Sequence, residues 1–434
     1  MDCHDHRQLA QDLDLLHFQD EAPGMAFFHP RGLQLYRLLE QAARALLHAH
    51  GYAEVKTPQL IRRPIWEQSG HWQHFRGNMF IVDDDAQPAA LKPVSCPGHI
   101  AIVKHRLRSY RELPIRLGEL GSVHRDELGG TLHGLLRLRQ FTQDDGHVFC
   151  SALQLPAELD RFCAAVGPFY AAFGFERISL ALATRPPDRF GADEAWDDAE
   201  AALAGALLAI GRDTRPSRSA GEAVGAPPSC EGRFAPASPD RPGYSINQGG
   251  GAFYGPKIEV ALHDRLGRAW QCGTIQLDVA MPERFDLRYV DADGARKLPY
   301  MLHRALYGSL ERFMGILLEH HGRALPLWLA PQQVAVLPVN SEQSTYAERV
   351  ALQLSEAGLR AELDARDESL GNRIADAHAL AVPLMLVLGA REQAAEAVAL
   401  REAGGQRVLP FAAALAELQR RCAAPDFPAL ARGR

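Results

Sequence analysis

Between Gly121 and His147 the sequence GSVHRDELGGTLHGLLRLRQFTQDDGH gathers Arg125, Glu127, Arg137, Arg139, Gln143, an Asp144–Asp145 pair and His147 around a turn at Gly129 and Gly130. Along its second arm, Leu136, Leu138 and Phe141 alternate with Arg137, Arg139 and Gln143, the period-two pattern of a strand. That reading sends the polar set to one face. A face of arginines, carboxylates and an amide is costly to bury empty. An anionic, hydrogen-bonding ligand such as a nucleotide with its phosphates would satisfy it. The alternative is a solvated hairpin with ordinary surface charges.

Two further groups could do chemistry. Cys96 in SCPGH, His147 in DDGHVFC and His303 in MLHRAL supply one sulfur and two imidazoles, a donor set suited to zinc. Three protein ligands leave a fourth position open for substrate. Eighteen histidines also make accidental triples common, and a single cysteine is more often core filling. GSLERF, Gly308–Phe313, places a glycine where backbone could approach a ligand closely and an arginine that could reach a phosphate. In isolation it reads equally as a Glu–Arg pair on a helix surface.

The elements that must position these groups follow from periodicity. Amphipathic spacing predicts helices over Arg31–His50, Gly98–Arg108, Gln154–Phe173, Asp193–Ile210 and His303–His321. Extended runs are YAEVKTPQL, IRLGELGSVHR and Arg177–Ala183, with a hairpin from FYGPKIEVAL and RAWQCGTIQLDV. After LPLWLAPQQV, strand-like QVAVLPV, Arg360–Leu363 and PLMLVLG alternate with helices Gln343–Ala357 and Leu370–Ala381, the pattern of a small α/β domain. Gly211–Gly243 is rich in Gly, Pro, Ser and Ala and reads as a flexible insertion. The length of 434 residues accommodates two or three cored domains. A net charge of −6 requires any nucleic-acid partner to meet local basic patches. Seven scattered cysteines, no signal-peptide pattern and no membrane-length apolar run predict a cytoplasmic chain with reduced thiols and no membrane partner.

Taken together, the motifs carry a resemblance. HGYAEVKTPQL, with Pro58, resembles motif 1 of the class II aminoacyl-tRNA synthetases, HRDE resembles motif 2 and GSLER motif 3. DHRQLAQDLDL, EAPGM, WEQSGHW, KPVSCPGH, LHGLLRLRQFTQDDGH, GAFYGPKIE and RAWQCGTIQLD narrow it to the threonyl-tRNA synthetase family. The resemblance implies an α+β fold: a class II antiparallel sheet flanked by helices over residues 1–325, then a small α/β anticodon-binding domain over 332–425. Amino-terminal and editing domains carried by many members have no counterpart here, which implies a truncated form without editing of serine in cis. It further implies Zn²⁺, one per subunit, on Cys96, His147 and His303, and Mg²⁺ with ATP. Arg125 would contact the α-phosphate and the amino-acid carboxylate, Glu127 the adenine amino group, and Arg137 and Arg312 the triphosphate, with Gln271 near the nucleotide. Gln143, Asp145, Tyr254 and Gln276 would line the threonine pocket. His71 would lie near the terminal ribose during transfer. Glu392 and Arg401 match anticodon-reading positions. The implied partners are threonine, ATP, tRNA(Thr) and a second copy in a homodimer.

The sequence departs from the family pattern at Val94 and Ser95 beside the metal residues, at Gly250, and at Ser369, Ala375, Leu380 and Ala381, where basic residues are common. These departures keep two other readings open. One is a paralogue that activates threonine or a related hydroxy amino acid for a carrier protein or small molecule. The other is a non-catalytic threonine- or tRNA-binding regulator.

Overall fold

The computed structural model describes residues 5–83, 87–213 and 243–431. Most of the expected insertion therefore lies outside the described residues. By packing, residues 23–25, 40–83, 87–213, 243–316 and 427–431 form one unit, and residues 5–22, 26–39 and 317–426 another.

The larger unit is built on an eight-stranded sheet. In chain order its strands are β1 (Ala53–Glu54), β2 (Ile115–His124), β3 (Gln140–Cys150), β4 (Ile178–Ala183), β5 (Ser245–Asn247), β6 (Lys257–His263), β7 (Ala269–Asp278) and β8 (Tyr300–Ala305). Their order across the sheet is β5-β4-β6-β7-β8-β3-β2-β1. All pairs are antiparallel except β4–β5 and β1–β2 at the two edges. The helices that matter to the argument are α1 (Pro30–Ala49), α2 (Cys96–Lys104), α3 (Leu155–Ala172), α4 (Asp193–Asp213) and α5 (Leu310–His321). The leucine spacing of α1 buries Leu35, Leu39, Leu46 and Leu47. It starts with Pro30, whose missing N–H costs nothing there, and Gly51 follows its end at φ +76°.

Three expectations needed correction. His303 is not helical: it lies on β8, and the helix starts at Leu310. Five of the six residues of β8 are buried, so the strand shows no alternation and its apolar run merges with that of the helix behind it. The second arm of the motif 2 hairpin becomes strand only at Gln140, so Arg137 and Arg139 sit in the connecting loop, beside two short 3₁₀ turns. YAEVKTPQL is two strands. β1 joins the large sheet, while Leu60–Arg62 pairs in a separate three-stranded sheet, with Pro58 between them.

In the second unit, β9 (Val334–Pro338), β10 (Ala361–Leu363), β11 (Leu384–Leu388), β12 (Ala397–Glu402) and β13 (Gly405–Pro410) order as β10-β9-β11-β12-β13, the first three parallel. Helices α6 (Ser344–Glu356), α7 (Leu370–Ala379) and α8 (Phe411–Cys422) pack on this sheet. Period two splits β9 between layers. Val334 and Val336 pack with Val350, Leu354 and Leu418, whereas Ala335 and Leu337 pack with Ala377 and Val382. This is the expected α/β alternation with an antiparallel extension.

Candidate active site and metal centre

Strand register brings the chemistry together. Gln276 of β7 lies opposite His303 of β8, and His303 lies opposite His147 of β3. On β3, Gln143, Asp145 and His147 recur every second residue and share one face. Cys96 reaches the same place from the first turn of α2, where Pro97 favours the helix start.

The donor atoms of Cys96, His147 and His303 all lie within 4.8 Å of one another, and all three residues are buried. His303 Nε2–H donates to Asp278 Oδ2 at 2.9 Å, while Asp278 Oδ1 accepts the backbone N–H groups of Ala280 and Met281. With that proton on Nε2, the Nδ1 lone pair of His303 faces His147 Nε2 at 2.9 Å. Two imidazole nitrogens this close need a proton or a cation between them. Burial and the neighbouring His303 and His99 hold the His147 pKa well below its ordinary value, so the ring is neutral and keeps one nitrogen lone pair able to bind a cation. Burial, with Asp145 and Asp278 nearby, pushes the Cys96 thiol well up, so it would become a thiolate ligand only with a cation beside it. One sulfur, two nitrogens and a carboxylate-held imidazole fit a zinc ion.

Beside this centre lies a cleft of about 320 Å³ lined by Arg125, Glu127, Arg137, Phe141, Gln143, Gln276, Gly308 and Arg312, among others. Arg125 is sandwiched between the rings of Phe75 and Phe141, 5.5 and 5.1 Å from their centres. Its Nε–H donates to the Pro93 carbonyl. Burial keeps its pKa below the ordinary value, offset by Tyr254, Glu127 and Asp145. Arg312 Nε–H and Nη1–H donate to the carbonyls of Gln271 and Leu136, which fixes the guanidinium between β7 and the motif 2 loop. Arg137 donates twice to Glu127 Oε2, at 3.0 and 2.8 Å, so these two candidate nucleotide contacts hold each other. Gln271 does not line the cleft. Its side-chain amide donates to Glu259, and only its carbonyl serves the site, through Arg312.

Tyr254 O–H donates to Gln276 Oε1 at 2.7 Å, and its ring stacks on His303 at 4.9 Å. Asp145 Oδ1 lies 3.6 Å from His147 Nε2, so the threonine-pocket candidates border the metal candidates. Asp144 points to the other face. There burial raises its pKa to about 6, and it accepts the N–H groups of Leu306 and Tyr307. His71 is buried. Its Nδ1–H donates to Ser69 Oγ, whose own proton goes to the Trp66 carbonyl. Burial, then His303, Arg125 and His74, lower its pKa to about 3, so its Nε2 is an acceptor at neutral pH.

The residues missed in the sequence are those behind the ligands. Asp278 supports His303, and a buried set of Thr57, Lys92, His99 and Glu119 lies behind His147. Burial would raise the Glu119 pKa, but hydrogen bonds from His99, the Thr57 N–H and Lys92 hold it at about 2. Each lies inside a motif quoted above, yet only the folded register shows what it touches. In the second unit, Glu392 caps the short helix Ala390–Ala394 by accepting the Gly389 N–H, and Arg401 lies on β12 opposite Met385. Ser369 is the N-cap of α7, accepting the Asn372 N–H, which gives that departure a structural role.

The fold and cleft are those of a class II tRNA synthetase. The family model described as the tRNA synthetase class II core domain (G, H, P, S and T) matches residues 80–321, and the anticodon binding domain model matches 333–421. Threonine–tRNA ligases from Burkholderia mallei (strain SAVP1) and Polaromonas naphthalenivorans (strain CJ2) are each 46% identical, over 92% and 93% of this chain. The chain spans 58% and 59% of the length of those two relatives. The RNA binding domain of threonyl-tRNA synthetase from Cryptosporidium parvum Iowa II superposes with a TM-score of 0.86 at 35% identity, covering 97% of this chain and 99% of that one. The chain belongs to the threonyl-tRNA synthetase family.

Proposed function

We propose that this chain activates threonine with ATP and transfers it to tRNA(Thr). The observation that carries the proposal is the row Gln276–His303–His147, which puts a Cys/His/His cluster against an arginine-lined cleft. Activation is attack of the threonine carboxylate on the α-phosphate of ATP, with pyrophosphate leaving. Such a step needs alignment and charge neutralisation more than a protein nucleophile. Arg125, held between two rings, is the group to meet the α-phosphate and the carboxylate. Arg312 and Arg137 would take the triphosphate with Mg²⁺. Freeing Arg137 for this task frees Glu127 to accept the adenine amino group. Neutral His71 supplies an acceptor for the terminal ribose during transfer. Zinc, when bound to Cys96, His147 and His303, supplies a Lewis-acidic point for the amino and hydroxyl groups of threonine. Gln143, Asp145, Tyr254 and Gln276 orient the rest of the substrate.

The finer assignments belong to the same reading. Glu392 and Arg401 read the anticodon, the chain works as a homodimer across the motif 1 region near Pro58, and the compartment is the cytoplasm. No helix among the described residues is long and apolar enough to cross a membrane.

A site built around a hydroxyl rejects valine by roughly 10⁴–10⁵, whereas serine, one methyl smaller, loses only about 1–3 kcal/mol. The test is charging of total tRNA by this 434-residue chain with threonine, serine or valine, with and without a zinc chelator. Threonine and serine are expected to be charged, valine not, and chelation to abolish both reactions. Threonine-dependent pyrophosphate exchange without charging would instead select a carrier-directed activating enzyme. No exchange would select a binding protein.

A further inference from the structure

Behind His147 runs a closed set of buried hydrogen bonds that the proposed reaction does not use directly. His147 Nδ1 lies 2.8 Å from His99 Nδ1, and His99 Nε2 lies 3.2 Å from Glu119 Oε2. Glu119 Oε1 accepts Lys92 Nζ–H at 2.9 Å and the Thr57 backbone N–H at 2.9 Å. The Thr57 hydroxyl donates to Glu119 Oε2 and accepts a second Lys92 proton, each at 2.8 Å. His99 and Lys92 have no solvent exposure, and Glu119 is 3% exposed.

The order of protons in this set is fixed from one end. Every other contact of the Glu119 carboxylate is a donor, so the carboxylate offers His99 only an acceptor. His99 must therefore carry a proton on Nε2. Lys92 already balances Glu119, so a second proton on His99 would leave a net positive charge in a fully buried set. His99 is then neutral, and its Nδ1 is an acceptor. The contact to His147 closes only if His147 donates from Nδ1. That leaves the lone pair of His147 on Nε2, the atom facing His303.

We infer that Lys92, Glu119 and His99 are positioning residues for the metal centre: the carboxylate, through His99, holds His147 in the single tautomer whose Nε2 can bind the ion. This rests on the zinc reading above. Asp278 does the same for His303 directly, so the two imidazoles are aimed by carboxylates from opposite sides. The Glu119 arm differs in passing through a second imidazole and in ending on Thr57, the residue before Pro58 of motif 1.

Glu119→Gln tests the inference because it reverses the order without removing an atom. The amide oxygen must stay with Lys92, which can only donate. The amide NH₂ then faces His99 and turns it round, so that its Nδ1–H points at His147 and drives the His147 proton to Nε2. Zinc affinity of the full chain, measured by competition with a chromophoric chelator, is expected to fall about 10–100-fold. Ring ¹⁵N spectra of the zinc-loaded wild-type chain, with His147 assigned by its loss in His147→Gln, are expected to show the proton on Nδ1 and none on Nε2. This second measurement needs no variant at Glu119 to fold. A wild-type His147 protonated on Nε2, or a folded Glu119→Gln chain binding zinc within twofold of wild type, would overturn the inference. Absence of zinc binding by the wild type would instead overturn the zinc reading, and this inference with it.

Discussion

Gly308 of GSLER and Gly267 of the β6–β7 turn form a matched pair for testing how motif 3 is built. Their φ angles are +75° and +78°, so alanine at either carries the same left-handed strain, about 1–2 kcal/mol. Both substitutions also restrict the unfolded chain equally. Their surroundings differ. A Cβ at Gly267 meets nothing within 4 Å, whereas one at Gly308 lies 2.7 Å from the Cys272 carbonyl oxygen. That neighbour is backbone inside the sheet and must move by several tenths of an ångström, an overpacking cost of about 1–3 kcal/mol. Gly267→Ala is thus expected to lose about 1–2 kcal/mol and Gly308→Ala about 2–5 kcal/mol, read from urea unfolding. The forced movement separates the two segments that Arg312 bridges, since Gln271, whose carbonyl accepts its Nε–H, immediately precedes Cys272. Loss of that charge-assisted bond corresponds to about 1.5–3 kcal/mol, or roughly 10–100-fold in ATP KM during threonine-dependent pyrophosphate exchange. Gly267→Ala should leave that KM unchanged. Equal stability losses in the two variants would refute the close-approach argument, and an unchanged ATP KM in Gly308→Ala would refute the link to Arg312.

Asp278→Asn keeps an oxygen for the Ala280 and Met281 N–H groups but turns an NH₂ toward His303, so zinc affinity should fall about 10–100-fold in the same chelator competition. The stability of the metal-free chain should depend on His71. Its pKa in the folded state, about 3, lies below the unfolded value near 6.5, so the unfolded chain takes up the proton first as pH falls. Its contribution is complete above pH 6.5 and is lost below it, by about 2 kcal/mol at pH 5. Urea unfolding in chelator at pH 7.5 and pH 5 should therefore show a smaller pH effect in His71→Asn than in wild type, and an equal effect would contradict a neutral buried His71.

The candidate site was legible where a short run in one strand carries it. Gln143, Asp145 and His147 alternate, and alternation alone places them on a common face. Arg125 and Arg312 were legible as cleft residues only in combination, because each alone reads as an ordinary surface arginine. The register that sets Gln276, His303 and His147 side by side was not legible. It depends on pairing among strands up to 156 residues apart, and β8 hides its own identity by being buried on both faces. Lys92, Glu119 and Asp278 were missed for a related reason. A charge in sequence gives no sign of burial, and these three are buried because each is matched by a partner far along the chain.

The Asp144–Asp145 pair shows where such reading stops. As sequence it is one acidic feature of a ligand-binding run. In the sheet its halves face opposite ways. Asp145 borders His147 of the Cys/His/His cluster, whereas Asp144 sits behind the sheet and accepts the backbone N–H groups of Leu306 and Tyr307, the two residues before Gly308. Asp144 thus ties the strand that supplies His147 to the turn that sets the start of α5, and through it Arg312. Glu311 completes the tie from the other side, accepting the Thr142 N–H with both carboxylate oxygens. Motifs 2 and 3 are therefore held together by carboxylates that do not line the cleft. The spacing between the Cys/His/His cluster and the cleft arginines is a property of this buried frame.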